Sequence, residues 1–216
     1  MGIPAEKVYS LRQIHSRDVV SLGSPPPAPE VLTRETDTSC EADTSCNADG
    51  LVCLSGGIFL AVTVADCLPV FLLDTENEFY SALHSGWKGT GIVLNALEIM
   101  QNAGSRPQAI AAVLGPCIQN CCYNVDEKRA KSFEAEFGSG RPELGTDNYP
   151  LGRVSRREKS SWFLNLQAAN ARLLAAAGVR HIAYNTECTF TDERLGSFRR
   201  EGKCFTNMIA MTGGYW

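Results

Sequence analysis

Four side chains of the sequence could form a reactive site: His15, Asp66, Cys67 and His84. One cysteine and two histidines are valid zinc ligands, and three protein ligands with an open fourth position are the pattern of a catalytic zinc site. A cysteine beside a histidine is equally the pattern of a metal-free nucleophile. Because His15 and Cys67 are far apart in the chain, their spacing does not decide between these two kinds of site.

Three apolar runs surround Cys67 and His84 and predict the strands that position them. The first run ends just before Cys67, the second follows it at once, and the third ends at His84. Their length and their β-branched and aromatic residues are typical of buried strands. The polar turn at 75–77 can close a hairpin between residues 68–74 and 78–84. Pairing outward from this turn predicts that Cys67 lies opposite His84, or one place from it, so that thiol and imidazole meet.

The whole chain predicts an α/β fold in a single domain, residues 1–216, built as a mixed β-sheet sandwich covered by helices. Thr90, Asp126 and Asn165 are the predicted N-caps of three helices. Residues 23–48, rich in proline and then in Thr, Asp and Glu, predict an exposed loop within the domain. The other predicted strands are 7–14, 18–22, 49–55, 110–114, 181–184 and 205–211, and the predicted helices are 91–103, 127–137 and 166–177.

Composition and charge exclude several classes of protein. The net charge is −4 at pH 7, which gives no general electrostatic basis for binding nucleic acid or an anionic membrane. No uninterrupted apolar stretch reaches the roughly 18 residues of a membrane helix, and the first residues lack a hydrophobic signal core. The nine cysteines are odd in number and predict reduced thiols in the cytoplasm rather than a disulfide framework. Cys40 and Cys46 lie in a polar loop and could pair under oxidation. Cys117, Cys121 and Cys122 could form a second zinc site, although their spacing is not that of a zinc finger.

Eight short motifs follow one another in an order that resembles the bacterial YlmD/YfiH family. This family is also called the polyphenol oxidoreductase laccase or purine nucleoside phosphorylase family, and it is FAMIN-related. The motifs are Gln13-x-His15, Ala48-Asp49-Gly50, Ala65-Asp66-Cys67-x-Pro69-Val70, His84-x-Gly86-Trp87-x-Gly89, Gly115-Pro116-x-Ile118, Tyr123-x-Val125, Glu187-Cys188-Thr189 and Phe198-Arg199-Arg200-x-Gly202. Each motif alone is a weak signal, whereas the ordered set is specific.

The resemblance implies a fold, a metal and an activity. The family fold is a compact α/β sandwich similar to the catalytic domain of cytotoxic necrotizing factor. Members carry a His-Cys-His zinc site, which falls on His15, Cys67 and His84. The implied reactions are phosphorolysis of adenosine, inosine, guanosine or methylthioadenosine and deamination of adenosine, so the implied partners are purine nucleosides and phosphate. Copper has also been attributed to the family, but a multicopper site needs far more histidines than the three of this chain.

The sequence departs from the family pattern in its N-terminal segment and in its basic residues. Few residues precede His15, where the family has a longer segment that reaches the pocket. Lys88 stands where the family has arginine, which keeps the positive charge but loses the bidentate guanidinium. After Arg199 and Arg200, residues 204–207 replace a Gly-Arg pair of the family. These departures concern groups that would hold a phosphate.

The predicted phosphate- and substrate-binding residues are Lys88, Arg199, Arg200, Gln13 and Trp87. Lys88 precedes a predicted helix, and helix N-termini favour anions. Trp87 could supply a wall for a nucleoside. The predicted catalytic residues are Cys67, His84 and Asp66, and Asp66 would act as a general base or would orient a ligand histidine.

Two other classes of function stay open at this point. One is a metal-free Cys-His hydrolase or amidase, with Cys67 as its nucleophile. The other is a non-catalytic paralogue, in which zinc only stabilises the fold and the surface binds a partner. The altered basic residues and the short N-terminal segment motivate this second alternative.

Overall fold

The computed structural model describes residues 3, 5–23, 46–138 and 152–214. Its strands are β1 Val8–Tyr9, β2 Val19–Leu22, β3 Gly50–Cys53, β4 Phe59–Val64, β5 Leu68–Asp74, β6 Tyr80–Ser85, β7 Ile110–Leu114, β8 Asn124–Val125, β9 Ser155–Glu158, β10 Ser161–Leu164, β11 His181–Tyr184 and β12 Met208–Gly213. Its α-helices are α1 Ile92–Asn102, α2 Glu127–Phe137, α3 Leu166–Ala176 and α4 Phe198–Glu201. Most of the loop predicted at 23–48 lies outside the described residues, but Asn47 bridges to Arg12 and Ala48 is buried.

Three sheets organise these strands. The largest has six strands in the order β11-β7-β5-β6-β3-β2, and two smaller sheets have the orders β1-β4-β12 and β8-β10-β9. In the large sheet, the central pairs are antiparallel, whereas β11–β7 and β2–β3 at its two edges are parallel. The predicted mixed α/β fold is therefore confirmed. The predicted similarity to cytotoxic necrotizing factor stays a prediction.

The large sheet is buried on both faces, which explains the apolar runs of the sequence. On one face, Val52 and Leu83 belong to a core shared with α1, α2 and α3. On the other face, Leu51 and Tyr80 pack in a second core against β4 of the β1-β4-β12 sheet. Side chains alternate between the faces of a strand, so His84 shares the second face with Tyr80. The ligand candidates therefore lie where this sheet-on-sheet layer ends.

The helices begin mostly where their N-caps predict. Asp126 accepts a hydrogen bond from the backbone N–H of Arg129 at 2.8 Å, and Asn165 caps α3 in the same way. The N-cap predicted at Thr90 is wrong, because α1 begins after Gly91, whose φ of 102° is accessible mainly to glycine. The Thr90 hydroxyl instead donates to the Gly86 carbonyl at 2.8 Å. No α-helix within the described ranges has the length and apolar character of a membrane span.

The predicted hairpin is formed by β5 and β6, but its register differs from the prediction. The carboxylate of Asp74 closes the turn by accepting hydrogen bonds from two backbone N–H groups at 2.8 and 3.1 Å. Pro69 is the partner of His84. Continuing this register places Cys67 opposite Gly86 and two places from His84, rather than opposite it or one place away. Because side chains repeat every two residues, the thiol and the imidazole still share a face and approach each other diagonally.

Candidate metal centre

His15, Cys67 and His84 come together at one end of the large sheet. Their ligand atoms all lie within 4.8 Å of one another. The two imidazole rings meet edge to face, with their centroids 5.0 Å apart. His84 is buried, Cys67 is half-buried and His15 is exposed, so the cluster is open to solvent on one side. The structure thus assembles the predicted ligand set, although no metal identity follows from the geometry alone.

Asp49 holds two of these ligands in place. Its buried carboxylate lies 2.7 Å from Nδ1 of His84, which leaves Nε2 as the nitrogen available to a metal. The same carboxylate accepts hydrogen bonds from the backbone N–H groups of Ile14, His15 and Ser16 at 3.1, 3.0 and 2.6 Å. These bonds close a tight loop in which His15 has a left-handed backbone, with φ of 61°.

Asp49 is not among the site residues predicted from the sequence. Its motif Ala48-Asp49-Gly50 is visible, but a carboxylate before a strand has no chemical signature until its partners are known. The predicted strand at 7–14 is wrong beyond β1. After β1 the chain turns into the loop that Asp49 holds by hydrogen bonds. Asp49, and not Asp66, is the carboxylate that orients His84.

Gly86 makes room for the thiol of Cys67. A Cβ atom at position 86 would lie 2.8 Å from the Cys67 Sγ, closer than real Cβ atoms approach. The residue before the cysteine, Asp66, has a left-handed backbone with φ of 83°. Such conformations in residues other than glycine are uncommon and concentrate at functional positions. The chain therefore turns sharply before Cys67, and the sulfur occupies space that a side chain at 86 would fill.

The charges of the centre stabilise the Cys67 thiolate and the protonated form of His84. Burial raises the pKa of Cys67, but hydrogen bonds with His15 and His84 outweigh burial and lower the pKa to about 7. Burial lowers the pKa of His84, but Asp49 and Cys67 outweigh it and raise the pKa to about 9. The hydrogen bond with Cys67 also raises the pKa of His15. A thiolate held in this way suits a metal ligand, which must lose its proton, and it equally suits a nucleophile.

Asp66 connects the cysteine to the C-terminal part of the chain. Its carboxylate accepts a hydrogen bond from the Thr189 hydroxyl at 2.6 Å and another from the backbone N–H of Arg199 at 2.6 Å. Arg199 in turn lies over the ring of Tyr123, with its guanidinium carbon 5.6 Å from the ring centroid. Asp66 therefore positions Arg199 near the centre. A role of Asp66 as a general base stays a prediction.

Three predicted substrate-binding residues, Gln13, Arg199 and Arg200, have polar groups bonded within the protein, and Arg199 donates one guanidinium N–H to the Asn124 carbonyl at 2.9 Å. The side-chain amide of Gln13 donates to the Thr63 carbonyl at 2.8 Å and accepts from the Thr63 N–H at 2.7 Å. The guanidinium of Arg200 donates to the carbonyls of Thr189, Phe190, Asp192 and Leu195 and pairs with Glu201. Gln13 thus fastens the His15 loop to β4, and Arg200 holds the loop around residues 189–195. Both residues therefore have a structural role around the centre.

Three cations from separate parts of the chain line one side of this region; we call Lys88, Arg129 and Arg199 the basic cluster. Lys88 is exposed, and its Nζ lies 5.7 Å from the centroid of the Trp87 ring. Arg129, in the first turn of α2, lies over the same ring at 4.4 Å. The sequence analysis missed Arg129, because nothing in its local sequence relates it to Trp87.

Tyr123 relates the basic cluster to the metal ligands. Burial raises its pKa to about 12, the Cys67 thiolate adds to the rise, and Arg129 and Arg199 act in the opposite direction. The phenol is therefore within electrostatic range of the cysteine and of two members of the basic cluster. Trp87 is half-buried and packs on the main core. The region consequently combines soft metal donors, two aromatic rings and positive charge.

Two histidines and one cysteine that leave an open side define a candidate metalloenzyme on an α/β sandwich. The comparison with protein families agrees with that class. The chain belongs to the multi-copper polyphenol oxidoreductase laccase family, and the model of this family matches residues 1–213. The YlmD/YfiH family predicted from the sequence motifs is thereby confirmed, since homologues and solved structures with these names also match.

Relatives with named activities cover most of the chain. A purine nucleoside phosphorylase of Corynebacterium glutamicum is 32% identical over 204 residues, which are 94% of this chain and 72% of that relative. The adenosine deaminase RL5 of an unknown prokaryotic organism is 28% identical over 220 residues, covering 96% of this chain and 77% of that relative. The crystal structure of YlmD from Geobacillus stearothermophilus matches with a TM-score of 0.78 at 28% identity, covering 97% of this chain and 74% of that structure.

We expect Gly86→Ala to destabilise the metal-free protein by about 1–3 kcal/mol, because the added methyl group overlaps the Cys67 Sγ. In a Cys67→Ala background, the same substitution should cost much less, since the next atoms are 3.6 and 3.9 Å away. Urea unfolding in the presence of a chelator is measured for the unmodified protein, the two single variants and the double variant. It gives the coupling free energy between positions 67 and 86. Equal costs in both backgrounds would show that Gly86 is needed for another reason.

We expect Asp49→Asn to weaken zinc binding by about 10–100-fold, because the amide no longer fixes the His84 imidazole or the His15 loop. Zinc affinity is measured by competition with a chromophoric chelator. Asp74→Asn is the matched control, because Asp74 is also buried but closes the far end of the same hairpin. It should lower stability and leave zinc affinity unchanged. An equal loss of affinity in both variants would mean that general destabilisation, not ligand orientation, is the cause.

Proposed function

We propose that this protein is a zinc-dependent purine nucleoside enzyme. Its reactions would be phosphorolysis of adenosine, inosine, guanosine or methylthioadenosine, deamination of adenosine, or both. The observation that carries the proposal is the convergence of His15, Cys67 and His84 within 4.8 Å, with Asp49 bonded to one imidazole. Relatives named purine nucleoside phosphorylase and adenosine deaminase support the choice of substrate.

The donor set fits zinc. Histidine nitrogen and cysteine sulfur are ordinary zinc ligands, and three of them with an open position are typical of catalytic sites. The contact between Asp49 and the His84 Nδ1 is the carboxylate–histidine pair that commonly supports a bound metal. When bound, zinc supplies Lewis-acid activation of a water or of a substrate atom. A multicopper oxidase would need more histidine donors than the three of this chain. One of the three, His181, lies on β11, and β11 and β2 form opposite edges of the large sheet.

The basic cluster supports phosphate as the second substrate. Phosphorolysis requires a phosphate oxygen to form a bond to the ribose C1′ while the bond from C1′ to the purine breaks. Lys88, Arg129 and Arg199 would hold the dianion, and arginine adds a fork of donors that suits phosphate. The rings of Trp87 and Tyr123 would border the nucleoside. The arginine of α2 compensates in this proposal for the lysine found at position 88.

A second candidate is favoured by one observation. The pKa of Cys67 near 7, with two histidines beside it, is what a metal-free Cys-His hydrolase or amidase needs. Metal content separates the two functions, together with labelling of Cys67 by iodoacetamide. Zinc bound to the thiolate should protect Cys67 until a chelator is added. Rapid labelling without a chelator, with activity retained, would favour the nucleophile.

We also propose that the protein acts in the cytoplasm on small molecules, with no nucleic-acid or membrane partner. Seven described cysteines are free thiols, which supports a reducing compartment. Cys46 is disulfide-bonded, which agrees with the expectation that this cysteine can pair under oxidation. Fractionation of cells, with a probe for the redox state of Cys46, tests this location.

We expect Cys67→Ala, His84→Ala and His15→Ala each to abolish stoichiometric zinc binding and purine nucleoside turnover. Each variant removes one of three donors, while the sheets that carry them keep their own cores. His181→Ala is the control, because this histidine is exposed on β11 and should keep both zinc and activity. Zinc is measured by mass spectrometry of metals, and folding by circular dichroism. Retention of one zinc per chain in the cysteine and histidine variants would refute the ligand set.

We expect Lys88→Met to raise the KM for phosphate at least tenfold, equivalent to about 1.4 kcal/mol of lost binding. Zinc content should not change, and adenosine deamination should fall much less than phosphorolysis. Lys131→Met is the matched control, since this exposed lysine of α2 pairs with Glu127.

The measurement is the release of hypoxanthine from inosine as phosphate concentration varies, alongside the formation of inosine from adenosine without phosphate. If both rates fall together in Lys88→Met, Lys88 supports the fold or the purine and not the phosphate. If the unmodified protein shows no dependence on phosphate, phosphorolysis is refuted, and deamination or a non-catalytic role replaces it.

A further inference from the structure

Three thiols meet outside the His15-Cys67-His84 centre. The sulfur atoms of Cys121, Cys122 and Cys188 all lie within 4.8 Å of one another, and those of Cys121 and Cys122 are 3.4 Å apart. The sequence analysis grouped Cys117 with the first two, and this grouping is wrong. Cys117 is buried and pairs through its backbone with Cys188, so the cysteine that joins the group comes from a segment far along the chain.

The trithiol cluster, Cys121, Cys122 and Cys188, has an entry path from solvent. Cys121 is exposed, and Cys121 and Cys188 both line an open cleft. Three acidic residues, Glu187, Asp192 and Glu193, and Arg194 also line it. A small ion can therefore reach the sulfur atoms of Cys121 and Cys188 from this cleft.

Among the described residues, no imidazole or carboxylate joins the three sulfur atoms within 4.8 Å. Of the carboxylates that line the cleft, those of Glu187 and Asp192 are paired with Arg194, at 3.1 and 2.6 Å, and that of Glu193 lies outside the group of donors. A donor set of three thiols without imidazole or carboxylate selects soft ions such as Cu(I) over Mg²⁺, Ca²⁺ or Mn²⁺. Zinc would lack a fourth protein ligand here, whereas its structural sites have four.

The spacing of the sulfur atoms agrees with three-coordinate binding. A metal–sulfur bond of about 2.3 Å in a trigonal arrangement places the sulfur atoms roughly 4 Å apart. The observed limits of 3.4 and 4.8 Å bracket that value.

We propose that Cys121, Cys122 and Cys188 form a second metal site that binds one Cu(I) ion through three sulfur atoms. This site is separate from the His15-Cys67-His84 centre and does not depend on the reaction that centre supports, while its test rests on the proposed zinc binding there to keep that centre occupied. The ion is held as Cu(I), so no electron transfer is part of the proposal. Binding releases the protons of the thiols to solvent.

The test is an anaerobic titration of the reduced, zinc-loaded protein with Cu(I), in competition with a chromophoric Cu(I) chelator. We expect uptake of one Cu(I) per chain with zinc retained, and X-ray absorption at the copper edge should show sulfur neighbours only. Cys121→Ser and Cys122→Ser should each weaken Cu(I) binding at least 100-fold. Both positions are outside the core, so the variants should fold, and their melting curves verify this.

Cys204→Ser is the matched control, because Cys204 is an exposed free thiol outside the cluster, and it should bind Cu(I) as the unmodified protein does. Three outcomes would overturn the proposal. The first is uptake unchanged by Cys121→Ser and Cys122→Ser. The second is Cu(I) that enters only as zinc leaves, which places it at His15-Cys67-His84. The third is uptake of a second zinc with no Cu(I) bound against the chelator.

Discussion

One buried carboxylate determines the geometry of the metal centre. Asp49 is fully buried, and such a charge is tolerated only where enough donors surround it. It has three backbone N–H groups, the Ser16 hydroxyl and the His84 imidazole. Burial raises the pKa of Asp49, but these donors outweigh burial and hold the pKa at about 2. Because one group collects all of these bonds, His15 and His84 cannot move independently of each other.

The candidate metal ligands and the basic cluster are carried by different parts of the fold. Cys67 and His84 stand at the ends of β5 and β6, whose hydrogen-bonded ladder keeps them rigid. The basic cluster comes instead from a turn before α1, from the first turn of α2, and from α4. The candidate metal ligands thus depend on the sheets, whereas the proposed anion-binding residues lie in a turn and in helices that a family can vary without disturbing the sheets.

Local patterns in the sequence predict local features well. The hairpin, the caps at Asp126 and Asn165 and the ordered motifs depend on neighbouring residues, and the structure contains them. The register of the β5–β6 hairpin differs from the prediction because its turn is longer than expected. The backbone N–H of Asp74 donates to the Phe79 carbonyl across this turn. Asp49, Arg129 and Cys188 belong to the candidate sites only through partners distant in the chain, and no local pattern identifies such partners.

The order in which the candidate metal centre assembles follows from how far apart in the chain its contacting residues are. Cys67 and His84 belong to one hairpin, and closing so short a loop is fast and costs little entropy. His15 joins through Asp49, 34 positions away, and Asp66 bonds to Thr189 across 123 positions. Contacts of that length form late, because they wait for the sheets to close. We therefore expect Cys67 and His84 to meet before His15 joins them, so the candidate ligand set is complete only after the sheets have closed.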